Sequence, residues 1–97
     1  MPDNVKLLLE DMYRRPGVYF GKKSLEALSF TLGGYMLRER EIDKESGNWF
    51  SGFQDFVARY YRVEASRGWC DIIRFFSATE EEAFDKFYQL LKEYLEA

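Results

Sequence analysis

Apolar residues recur every three or four positions along most of this chain, and that period predicts helices rather than strands. The first helix is predicted over residues 3–14, with Asp3 as its cap and Val5, Leu8, Leu9 and Met12 on one face. Pro16 ends it, because the residue before a proline is pushed out of the α region. Arg15-Pro16-Gly17-Val18-Tyr19-Phe20-Gly21 then reads as a loop with an aromatic pair inside it, opened by Pro-Gly and closed by Gly21. Ser24 is the expected cap of a second helix with a stripe of Leu25, Leu28, Leu32, Tyr35 and Met36. Gly33 and Gly34 lie inside that helix, where each costs about 1 kcal/mol relative to alanine. Close approach of another backbone is the preferred explanation, and a kink between two shorter helices is the other.

Residues 38–48 mix both signs of charge and lose the period, and Gly47 and Asn48 close the resulting loop. A third helix is predicted from Trp49 to Arg62, capped by Asn48, with Phe50, Phe53, Phe56, Val57 and Tyr60 recurring at helical spacing. Ser66 is the expected cap of a fourth helix through Phe76, with Trp69, Ile72, Ile73 and Phe76 on one face. Its β-forming residues leave a short strand open as the alternative. Thr79-Glu80-Glu81-Glu82 is a capping box, and three acids in a first turn suit the helix dipole. Ala83, Phe84, Phe87, Leu90, Leu91, Tyr94 and Leu95 follow on one face. The pattern predicts one all-α domain over residues 1–97, a compact bundle of about five helices with short loops.

Composition adds a surplus to this picture. Nine Phe, seven Tyr and two Trp are more ring surface than a 97-residue core readily encloses, so some of it points to a binding surface. The net charge of −3 gives no basic footprint for nucleic acid or an anionic membrane. Residues 77–97 hold six acids against Lys86 and Lys92, which either steer a basic partner or simply solvate a helix face. A single cysteine, no membrane-length apolar run and no visible signal peptide predict a cytoplasmic protein.

Catalytic chemistry is poorly supplied. Histidine is absent, which removes the commonest general base and metal ligand. Cys70, beside Trp69, reads as a small buried hydrophobe, and one cysteine without histidine cannot build a structural zinc site in one chain. Glu80, Glu81 and Glu82 are consecutive and diverge around the helix, so capping explains them. The alternating acids Glu39, Glu41, Asp43 and Glu45 are interrupted by Arg40 and Lys44 and do not make a calcium loop. Gly17 and Gly21 lack phosphate-loop spacing, and Gly21-Lys22-Lys23-Ser24 has the wrong residues upstream for one. No catalytic residue, metal or cofactor is therefore expected.

Two resemblances rest on these motifs. Arg15-Pro16-Gly17-Val18-Tyr19-Phe20-Gly21 resembles the R-P-G-M-Y-I-G segment of gyrase B-type ATPase domains, but no D-x-G-x-G motif is present and the likeness is one of local geometry. A longer likeness runs from the R-P-G-V-Y-F-G segment through Ser24-Leu25, Gly34-Tyr35, Phe53 and Phe56, Ser66-Arg67-Gly68-Trp69, Ile72-Ile73 and Glu81-Glu82-Ala83-Phe84. This order is similar to that of short bacterial proteins, some of which look like immunity proteins of polymorphic or contact-dependent toxin systems. The resemblance implies a cytoplasmic inhibitor that occludes the active site of a cognate toxin domain, the partner expected to be basic. It carries over no specific binding residue.

The residues chosen for partner contact come from the aromatic surplus and the acids: Tyr19, Phe20, Trp49, Tyr61, Asp71, Phe75, Glu80, Glu81 and Asp85. For Tyr19 and Phe20 the preferred reading is as plugs that pin their loop to the core, and Trp49 is equally readable as a lid on it. Phe75 falls off its helix's apolar face and is expected to be exposed. The alternative function is a non-catalytic adaptor or a homo-oligomer joined through the same aromatics.

Overall fold

The three longest helices begin where a side chain satisfies free amides of the first turn. In the computed structural model, which describes residues 3–64 and 66–97, Asp3 accepts from the Val5 and Lys6 amides at 2.9 and 3.2 Å and starts α1 (Asn4–Arg14). Ser24 accepts from the Ala27 amide at 3.2 Å and starts α3 (Leu25–Ile42). Thr79 accepts from the Glu82 amide at 3.0 Å and starts α6 (Glu80–Glu96), while the Glu82 carboxylate reaches back to the Ala78 amide at 3.2 Å. That is the predicted capping box, displaced by one amide.

The predicted loop at Pro16 is a helix. α2 (Pro16–Phe20) has proline at its first position, where an amide would have no intrahelical partner. The same proline thus stops α1 and starts α2, with Arg15 as the shared hinge. Gly21 closes α2 at φ 75°, a left-handed conformation that favours glycine.

Three further features differ from expectation. Asn48 does not cap the third long segment. A 3₁₀ turn (Asn48–Gly52) comes first, and α4 (Phe53–Tyr61) follows it. Gly52 sits under Tyr94: a Cβ there would lie 2.8 Å from the Tyr94 hydroxyl, which donates to the Trp49 carbonyl. Ser66 is not a cap either, since α5 (Trp69–Phe75) starts at Gly68 without a side-chain bond. α5 is helical, so the strand alternative is removed; among the described residues no strand occurs.

Gly33 and Gly34 are the third correction. α3 runs through them without interruption, and a Cβ at either would meet nothing within 4 Å. Neither a kink nor a close neighbour in the chain accounts for the pair. Their side of α3 faces solvent, whereas Leu25, Leu28 and Leu32 are buried on the other side.

The bundle is built on its two long helices. α3 packs against α1, α5 and α6, and α6 packs against α3, α4 and α5. Between them lies an aromatic core centred on Phe53, which is fully buried and contacts the rings of Phe50, Phe56, Trp69, Phe87 and Tyr94. Trp69 stacks on Phe87 at 5.0 Å, so the start of α5 is clamped to the middle of α6. No buried charged side chain occurs among the described residues.

Candidate protein-binding surface

Two aromatic pairs, Tyr60-Tyr61 and Phe75-Phe76, sit at the C-terminal ends of α4 and α5. Adjacent residues on a helix point about 100° apart, so one core cannot take both rings of a pair. The structure resolves this by joining the pairs outside the core. Tyr60 meets Tyr61 at 4.9 Å, Tyr61 stacks flat on Phe76 at 4.6 Å, and Phe76 meets Phe75 edge-on at 5.1 Å. The outcome is a continuous ladder of four rings. Phe75 is 71 % exposed, Phe76 48 % and Tyr60 42 %. Burial at the centre raises the Tyr61 phenol above its ordinary pKa.

Cations close both ends of the ladder. Lys86 Nζ lies 4.7 Å from the Tyr60 ring centre and donates to its hydroxyl at 2.6 Å. The Arg67 guanidinium lies 5.9 Å over Phe75. Beside Phe75 and Phe76 is a hollow of about 500 Å³, lined also by Arg62, Val63 and Ile72.

Arg62 gives the hollow an unusual edge. It ends α4 at φ 57° and ψ 47°, left-handed without being glycine. The Val63 amide reaches the Ala58 carbonyl at 3.0 Å, completing a helix ending that ordinarily uses glycine at the Arg62 position. A left-handed side chain costs about 1 kcal/mol. Arg62→Gly should therefore raise stability by about 1 kcal/mol, a thermal midpoint some 4–8 °C higher, read by circular dichroism. An unchanged or lower midpoint would show that the arginine side chain stabilises the fold directly.

The other predicted contact residues are spread over the molecule. Tyr19 donates to Asp11 at 2.5 Å, and Arg15 grips the same carboxylate through two nitrogens. Hydrogen bonds from Arg15 and Tyr19 hold Asp11 below the ordinary carboxylate pKa. Tyr19 is thus a half-exposed tie between α1 and α2, while Phe20 packs against the core. Trp49 also packs against the core, with Lys6 over its indole at 5.0 Å. It lines a second groove, about 550 Å³, between α1 and α6 with Tyr13, Tyr88 and Leu91. Its indole nitrogen is buried without a hydrogen-bond partner and is inaccessible to water. Tyr88 in that groove donates to the Leu9 carbonyl at 2.6 Å, and burial raises its pKa strongly.

The acids are largely committed inside the chain. Glu80 pairs with Arg74 and accepts from the Glu26 amide at 3.2 Å, while Arg74 also reaches Glu26 at 3.1 Å. Asp85 pairs with Lys23 at 2.9 Å. Asp71 and Glu81 are exposed. Burial alone would raise the Glu80 pKa, but Arg74 and the Glu26 and Leu25 amides together leave it below its ordinary value. A folded-state pKa below the unfolded one adds stability above the unfolded pKa, and that stability is lost as pH falls through the folded pKa. Glu80→Gln should therefore flatten the acid decline of the thermal midpoint below the ordinary glutamate pKa. An acid decline as steep as the unsubstituted chain's would remove Glu80 as a source.

Among the described residues no group of three or more Cys, Asp or Glu is placed to hold a metal. Cys70 contacts the Leu25 carbonyl at 3.7 Å, and burial raises its thiol pKa, away from thiolate chemistry. Among the described residues no helix is long and apolar enough to cross a membrane.

Of the nine predicted residues, the structure brings only Tyr61 and Phe75 into one feature. Tyr60, Arg62, Arg67 and Phe76 belong to it and were not chosen from sequence. The doublets Tyr60-Tyr61 and Phe75-Phe76 carried the signal, since helical geometry cannot hide both members. No protein family, curated protein or solved structure matches this chain.

Proposed function

We propose that this chain is a non-catalytic protein-binding module of the toxin-immunity type, acting in the cytoplasm, with the Tyr60–Tyr61–Phe76–Phe75 ladder as its docking centre. The ladder is the observation that carries the reading. Large exposed rings, already ordered by stacking, lose little conformational entropy on binding and supply the apolar anchors typical of interface hot spots. A hollow beside two of them accepts a side chain from the partner. Arg62 and Arg67 at its edge offer donors to carboxylates or carbonyls of that partner.

The partner is a toxin domain whose working site is covered when it docks. The net charge of −3 favours encounter with a basic domain, with Glu81 among the exposed acids of α6. Inhibition is by occlusion, and the absence of histidine is consistent with a protein that needs no proton transfer of its own. The test is co-expression with the toxic domain encoded beside its gene. Restored growth is expected, and continued growth arrest with both proteins produced would end the immunity reading.

A further inference from the structure

Arg62 occupies a position that the fold on its own fills better with glycine. It ends α4 left-handed at φ 57°, and the hydrogen bond that completes this ending is made by backbone alone. Its guanidinium makes no ion pair or hydrogen bond among the described residues. Strained positions persist where something beyond the local fold selects them, and function is the usual reason. Arg62 lines the hollow beside Phe75 and Phe76, so that surface is where its side chain acts.

The hollow also has a charge of its own. Arg62 and Arg67 line it against one acid, Glu64, a net of +1 among the described residues in a chain of −3. All three side chains are exposed, and none is in an ion pair. By contrast, Asp11 holds Arg14 and Arg15, Asp85 holds Lys23, and Glu26 and Glu80 hold Arg74. Arg67 lies over the Phe75 ring, which leaves its N–H groups free to donate in pairs to a carboxylate. Val63, Ile72 and Phe75 supply apolar surface beside the two guanidiniums, where partial exclusion of water strengthens such a pairing.

We infer that the hollow receives an acidic side chain of the protein partner, set between apolar residues, with its carboxylate held by Arg62 and Arg67. The inference rests on the ladder being a docking centre, as proposed above, and not on the partner being a toxin. One carboxylate brings the hollow to neutrality, whereas a polyanion such as a nucleic acid exceeds the charge available and meets Glu64. An acidic contact residue is compatible with a basic partner. The net charge of −3 acts during approach, while the two arginines act within contact range. The strain at Arg62 is then a loss of stability retained for binding.

The probes are the peptides acetyl-Leu-X-Leu-amide, with X as Glu, Gln or Lys, titrated into the millimolar range on the isotope-labelled full chain and followed by amide NMR shifts. The Glu peptide is expected to shift the Val63, Phe75 and Phe76 amides and to bind about fivefold tighter than the Gln peptide, with the Lys peptide weakest. Arg67→Gln should remove that preference. Arg62→Gly should reduce it while raising the thermal midpoint, and these opposite signs separate a binding role from a folding defect. In the complex with the domain encoded beside the gene, where the pair is covered from water, each variant should weaken binding roughly tenfold. Equal binding of the three peptides, or shifts confined to another surface, overturns the inference. So does a Glu preference that survives both arginine variants, or a thymidine oligonucleotide that binds this surface more tightly than the Glu peptide. If the unsubstituted chain does not bind the neighbouring domain, the immunity reading falls while the peptide series still decides the hollow.

Discussion

Phe53→Ala is expected to destabilise the domain by about 3–5 kcal/mol, enough to consume much of the stability of a single small domain. Phe53 has no solvent exposure, and five other rings contact it. Those rings come from the 3₁₀ turn, α4, α5 and α6, so a cavity at Phe53 loosens four elements together. Collapse to fill it is hindered because Trp69 and Phe87 are stacked on each other and Tyr94 is tied to the Trp49 carbonyl. The thermal midpoint should fall by roughly 20 °C, with loss of cooperativity in the aromatic circular dichroism signal. Phe75→Ala is the matched control, removing the same ring from a site 71 % exposed, and should change stability by no more than about 0.5 kcal/mol. Equal losses from the two substitutions would mean that the core is not centred on Phe53.

That contrast also shows what could be read from the sequence. The periodicity identifies Phe53, Phe84, Phe87 and Leu90 as core because each lies on a helical stripe with three or more apolar partners. Asp3, Ser24 and Thr79 mark true helix starts because their side-chain oxygens reach amides two or three residues ahead, a purely local geometry. Where the local signal was borrowed by tertiary contact, the reading failed. Asn48 looks like a cap, but the chain tightens into a 3₁₀ turn beneath Tyr94, a residue 46 positions away. Pro16-Gly17 looks like a turn, but proline at a first helical position is as comfortable as proline in a turn, and the sequence alone does not separate the two.

The candidate site was harder to see, for a related reason. Helical phase alone places Tyr60 and Phe76 on the apolar stripes of their helices, and so predicts both as core. Both are at helix ends, where the neighbouring element no longer covers them. The pairing of Tyr61 with Phe76 joins α4 to α5 across residues that share no local pattern, so only the tertiary structure reveals the ladder. The acids misled in the opposite direction. Their sequence clustering suggested a free negative surface, yet Arg74 and Lys23, brought in from α5 and from the segment before α3, engage Glu80 and Asp85.

Loss of the ladder should abolish partner protection while leaving the fold intact. Phe75→Glu combined with Phe76→Ser is expected to weaken the complex at least about 100-fold, as hot-spot aromatics typically do, chiefly by faster dissociation. The substitution places a carboxylate at the apolar centre and removes the ring that Tyr61 stacks on. Arg67→Ala should have a smaller effect, since it removes only the cation over Phe75 and a donor at the hollow's edge. Glu81→Gln should act differently from all of these. A single exposed charge steers encounter, so the variant should slow association at low salt and leave dissociation nearly unchanged. Growth rescue and surface-immobilised binding kinetics, measured on the same variants, read both effects. Full protection by the Phe75→Glu, Phe76→Ser double variant would remove the ladder as the docking centre. Full protection by that variant with loss in Glu81→Gln would move the interface to the acidic face of α6, the other surface that the sequence singled out.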